Sequence, residues 1–146
     1  MVKAEATGPV LVHDTVFHRV ERHDGFLKMV RSAEPYPDLA AIDSEYGALV
    51  AALSPYEDQQ VGLLVDLRDA RGRNDPGFEE TQGRWRKRCL QGHEPLVVLV
   101  KSALGRMHVE RHMKVDGLHA LVTTDVTEAL QVVGQRISGV VRQDLP

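Results

Sequence analysis

Apolar positions along the chain change period several times, and each change marks an element. Residues 10–20 are rich in β-branched and apolar side chains, as strands are. Asp24-Gly25 is a tight-turn dipeptide, and Phe26-Leu27-Lys28-Met29-Val30 follows it. A β-hairpin is predicted, its first strand ending near Arg22 and its second covering residues 26–31. Leu39, Ile42, Tyr46, Leu49, Val50 and Leu53 then step by three or four, which draws one stripe of a helix. Asp38 is its expected cap and Ser54-Pro55 its expected end.

Residues 61–67 form a continuous apolar run broken only by Asp66, the pattern of a strand covered on both faces. Asp75-Pro76 suits a second helix start: Asp75 as cap, Pro76 in the first turn, Glu79 and Glu80 at the positive end of the dipole. Phe78, Trp85 and Cys89 share one face of that helix, and Gly92 is its stop. Residues 96–100 are a second buried strand. Ser102 caps a helix near 103–114, Asp116-Gly117 turns the chain, and residues 118–123 are the last strand. Asp125-Val126-Thr127-Glu128 resembles a capping box. Val126, Ala129, Leu130, Val133, Ile137, Val140 and Val141 would form the inner face of a final helix, weakened by Gly134 and Gly139.

The order is β-β-α-β-α-β-α-β-α. It implies an α/β fold with a single mixed, mostly parallel sheet of about five strands. An N-terminal hairpin opens the sheet and about four helices cover it. Residues 10–142 read as one domain, with 1–9 as a flexible leader and 143–146 as a tail. No internal repeat or low-complexity tract is present.

Composition narrows the function classes. The chain has 146 residues, 42% hydrophobic and 27% charged, with a net charge of −3. That balance gives no reason to expect a nucleic-acid partner. The lone Cys89 allows no intramolecular disulfide, which suits a reducing, cytoplasmic setting. The first residues lack the apolar segment of a signal peptide, and no run approaches the roughly 20 apolar residues of a membrane span. Charge is uneven, however. Residues 34–58 hold six acids and no base, whereas Arg84-Trp85-Arg86-Lys87-Arg88 places four bases in five positions. Two oppositely charged helix faces could meet a protein partner or form a homodimer.

The element order, the strand end Val65-Asp66-Leu67, the helix start Asn74-Asp75-Pro76-Gly77 and the closing Glu128-Ala129-Leu130 together resemble the SpoIIAA-like group of the STAS superfamily. The resemblance covers about residues 10–142. It implies a bacterial regulatory or accessory domain that binds proteins, with some members binding small ligands or lipids. The best-known members carry a phosphorylated Ser or Thr at the start of the helix after the central strand. Here no hydroxyl occurs from Leu67 to Glu80, and Thr81 falls inside the helix. The phospho-switch therefore does not carry over, and Asp75 is either a fixed charge or a plain N-cap.

The loop after the central strand carries Arg68, Arg71 and Arg73 beside a helix N-terminus. Arg68, Arg71, Arg73, Asn74 and Asp75 are the candidate partner- or ligand-binding residues. Asp66, Asp69 and Asp75 sit among the bases, so local Arg–Asp pairing is the competing reading. Gly72 and Gly77 match no nucleotide-binding spacing. His108 and His112 stand one helical turn apart, a spacing that can hold a metal if a third ligand joins them. His13, His18 and His23 recur every five residues, fit neither strand nor helix period, and receive no role. Nothing in the pattern calls for a cofactor.

The resulting expectation is a non-enzymatic regulatory or protein-interaction domain of STAS-like type. Two alternatives remain open. One is a carrier of a small anionic or lipid-like ligand. The other is a metal-binding enzyme using His108 and His112.

Overall fold

A computed structural model of the chain describes residues 8–57, 59, 61–71 and 76–134. Among the described residues, six strands form one sheet in strict chain order, flanked by four helices. Strands β1 (Val10–Asp14), β2 (His18–His23) and β3 (Phe26–Arg31) are antiparallel neighbours. Strands β4 (Gly62–Asp66), β5 (Leu96–Leu99) and β6 (Leu121–Thr123) continue the sheet in parallel from β3. The helices are α1 (Leu39–Glu57), α2 (Pro76–Leu90), α3 (Ala103–Asp116) and α4 (Val126–Val133). The predicted α/β class and mixed sheet are therefore present.

The topology places the helices. From β3 to β6 every step moves one strand in the same direction. Right-handed crossovers then put α1, α2 and α3 on one face. Among the described helices, α4, which follows β6, is the one that covers the other. Alternation along the central strands records this division. Leu63, Val65, Leu96 and Val98 join the large core under α1–α3, whereas Leu64, Val97 and Leu99 pack with Ala129 and Val133 of α4. Both faces of β4 and β5 are buried, which explains their unbroken apolarity.

The caps follow the sequence closely. Asp38 Oδ1 accepts from Ala41 N at 2.8 Å, and Ser102 Oγ from Gly105 N at 3.1 Å. Asp125 Oδ1 accepts from Thr127 N and Glu128 N at 2.9 and 3.2 Å. Glu128 does not reach back to the cap residue as a capping box would. Its Oε1 accepts from Thr123 Oγ1 at 2.6 Å, and that hydroxyl accepts from Asp125 N at 3.0 Å. Gly25 (φ 88°) and Gly117 (φ 71°) occupy the left-handed conformation that their turns require.

Four expectations need correction. The first predicted strand is two strands, β1 and β2, turned at Thr15-Val16-Phe17. No Gly, Pro or Asn marks that turn. The Thr15 hydroxyl makes it, accepting from Phe17 N and His18 N at 3.2 Å each. Pro55 does not end α1 but lies inside its last turn. Leu53 is fully buried just before it, and only two helical residues follow, so little backbone bonding is lost. The last strand starts at Leu121 rather than 118, because residues 118–120 carry the chain from the α3 cap to the sheet. In α4, Ala129 and Val133 point inward as expected, while Val126 and Leu130 are 41% and 45% exposed. Ile137, Val140 and Val141 lie outside the described residues.

Candidate functional site: a cleft at the carboxyl ends of the strands

Helices α1 and α2 pack together, whereas α2 and α3 meet only sparsely and α3 leans on β6. Tyr46 of α1 stacks on Trp85 of α2, with ring centroids 6.3 Å apart, and Trp85 Nε1 donates to Asp43 Oδ1 at 2.8 Å. The acidic and basic helices noted in the sequence are thus neighbours within one chain. Phe78 and Cys89 are buried, as their shared face predicted, while Trp85 is half-buried at the α1–α2 seam.

Between α2 and α3 a cleft of about 600 Å³ opens at the carboxyl ends of the parallel strands. This is where ligands collect in open α/β sheets. Its floor is apolar: Met29 of β3, Val65 of β4 and Val98 of β5. Phe78 of α2 and Val109 and Met113 of α3 are its apolar walls. Arg31, Arg68, Arg71, Arg86 and Lys101 also line it, against a single carboxylate among the described residues, Glu79.

These bases are not equivalent. Arg68 holds Asp66 with two guanidinium bonds, Nε–Oδ1 at 3.0 Å and Nη2–Oδ2 at 2.8 Å. Its backbone N–H adds a third bond to Oδ1 at 3.0 Å. Burial alone would raise the Asp66 pKa, but the Arg68 bonds hold it below the ordinary carboxylate value. Arg86 Nε pairs with Asp116 Oδ2 at 2.7 Å, tying α2 to the end of α3. Arg31 is buried, lies 4.3 Å over the Tyr36 ring, and donates to the carbonyls of Ser32 and Phe17. Arg71 and Lys101 make no ion pair among the described residues, so their charges are available to a ligand at the mouth.

Local pairing, the competing reading of the Arg-rich loop, is therefore correct for Arg68 and not for Arg71. Arg73, Asn74 and Asp75 lie outside the described residues. His108 and His112 both line the cleft, their rings edge to face at 4.7 Å. Burial is the chief cause that lowers the His112 pKa. No group of three or more metal-ligating side chains is assembled around them among the described residues. Cys89 borders the cleft too. Its thiol is pushed up to about 12 by burial, so it is a small apolar wall rather than a nucleophile.

One buried polar cluster escaped the sequence reading. His13 Nε2, Thr15 Oγ1 and His18 Nδ1 converge on Glu45 Oε2 at 2.9, 2.9 and 2.7 Å. Glu45 is buried, and so is His18, which lines the inner end of the cleft. Five-residue spacing hid the pair, because the tight Thr15 turn lies between the two histidines. The available signal was a glutamate in the apolar stripe of α1, one position before Tyr46. Set against protein-family models, curated proteins and solved structures, the chain matches none of them.

Proposed function

We propose that this protein binds a small amphipathic anion in the cleft between α2 and α3. The observation that carries this reading is the combination of an apolar floor with two cationic side chains, Arg71 and Lys101, that no carboxylate neutralises among the described residues. A volume of about 600 Å³ lies within the range of small-molecule sites. The positive end of α3, capped by Ser102 beside Lys101, adds to the attraction for an anion. The floor supplies hydrophobic affinity and the mouth fixes the orientation of the charged end. The test is titration with anilinonaphthalene sulfonate, itself an amphipathic anion. It is expected to occupy one saturable site per chain and to be displaced by decanoate. Lys101→Glu is expected to weaken both probes about tenfold, and unchanged affinity in that variant would remove the charged mouth from the account.

A second reading, the STAS-like interaction domain, draws on a different surface. Leu104, Met107 and Val115 of α3 are 76%, 63% and 78% exposed, and Arg111 and Lys114 stand beside them. An apolar stripe of this kind fits a partner with acidic surroundings. The exposed Leu39, beside Asp38 and Asp43 on α1, offers that chemistry on a second copy of the chain. Sedimentation velocity is expected to show a dimer that Met107→Glu dissociates. A monomer at every concentration would remove self-association.

A further inference from the structure

The inner end of the cleft holds a histidine whose proton is placed by its neighbours. Burial raises the Glu45 pKa, but the bonds from His18, His13 and Thr15 outweigh it and bring the carboxyl down to about 2. Glu45 is therefore ionised at neutral pH, and an ionised carboxylate only accepts hydrogen bonds. The 2.7 Å bond must then be donated by His18 Nδ1. Burial is also the main cause that lowers the His18 pKa, so the ring is neutral and its lone pair sits on Nε2.

That nitrogen has no hydrogen bond to any described residue. It is not sealed in the core either. The imidazole nitrogen that is both sealed and unpartnered among the described residues belongs to His93, on the segment leading into β5. His18 lines the cleft and its Nδ1 is turned to Glu45, which leaves Nε2 as the ring nitrogen able to face the cavity. No described group is hydrogen-bonded at this position. Tyr46 of α1 meets the ring edge-on at 5.4 Å, and Arg31, the residue opposite His18 on β3, turns its Nη1 to the Ser32 and Phe17 carbonyls. His13 of β1 and Glu45 of α1 lie on the Nδ1 side. A largely buried acceptor with no partner favours a donor from whatever fills the space.

We infer that His18 Nε2 accepts a hydrogen bond from a hydroxyl of the bound molecule, so that the cleft selects hydroxylated amphipathic anions over their unsubstituted parents. This rests on the cleft being the ligand site. The geometry also sets a length. His18 lies on β2 and Lys101 follows β5, three strand spacings across the sheet, about 14 Å. A medium-chain acid with its carboxylate at Lys101 and a hydroxyl near its far end spans that distance.

Calorimetric titration with decanoate, ω-hydroxydecanoate and ω-methoxydecanoate tests this. The hydroxy acid is expected to bind about tenfold more tightly than the other two, since only it donates. His18→Phe is expected to bind the hydroxy acid and decanoate alike. Equal binding of the three acids to the unaltered protein overturns the inference while leaving the cleft reading in place, and so does a preference that survives in His18→Phe. Failure of all three acids to bind overturns the cleft reading and this inference together. If His18→Phe does not fold, the hydroxy and methoxy acids decide the matter on the unaltered protein.

Discussion

Glu45→Ala is expected to destabilise the fold by about 3 kcal/mol in urea unfolding at neutral pH, because hydrogen bonds to a buried charge contribute roughly 1.5–3 kcal/mol each and do not add fully. The substitution removes the acceptor of three bonds and leaves His18 Nδ1 buried with no partner. It also unlinks α1 from β1 and β2. A loss below about 1 kcal/mol would show that the cluster contributes little. Acid should act on the same cluster in two steps. The His18 pKa is lower in the folded state than the ordinary 6.5, so the unfolded chain protonates first and stability falls as pH drops below 6.5. The Glu45 pKa lies near 2 when folded against an ordinary 4.5. Its stabilisation is complete above 4.5 and is lost as pH falls through about 2. Glu45→Gln is expected to abolish the second step. A variant whose unfolding free energy keeps the same slope between pH 4.5 and 2 would contradict the assignment.

Leu63→Ala is expected to cost about 3–4 kcal/mol, the range for a leucine removed from a site that cannot collapse. Leu63 is fully buried on β4, between β3 and β5 and under the helices, where rigid strands flank the void. Leu63 does not line the cleft. Ligand affinity of the folded variant should therefore be unchanged although its unfolding midpoint drops. Loss of affinity in proportion to stability would show that cleft and core are one unit.

These two residues mark what could be read from the sequence. Leu63 sits in a continuous apolar run, and the run itself implies a strand buried on both faces. The same holds for Val97 and Val98. Helix starts were legible for a similar reason: Asp38, Ser102 and Asp125 act locally, within three residues of the amides they cap. Glu45 was not legible. Its partners lie 27 to 32 positions earlier, and the turn that brings His13 and His18 together is made by a threonine hydroxyl rather than a turn-forming residue. The split of the first strand and the hidden cluster have that one cause.

The candidate site was half legible. The loop after the central strand was legible as a ligand-facing junction, and the cleft opens there. Arg68 turned out to be occupied by Asp66, a pairing that the two-residue spacing allowed. The importance of Lys101 and Val98 depended on β5 lying beside β4, and the gap between α2 and α3 on how the helices pack. His108 and His112 were noticed for their spacing. The structure gives them a different setting, on the α3 wall of the cleft with no third ligand assembled among the described residues.

The most direct test of the account is the anilinonaphthalene sulfonate titration, repeated on Val109→Trp. Val109 is a half-buried wall residue of α3 that faces the cleft, so a larger ring there fills the cavity from its side rather than from the core. The expected result is one saturable site on the unaltered protein, displaced by decanoate, and none on Val109→Trp while cooperative urea unfolding is retained. Undiminished binding to a cooperatively folded Val109→Trp, or no saturable binding to the unaltered protein, would contradict it.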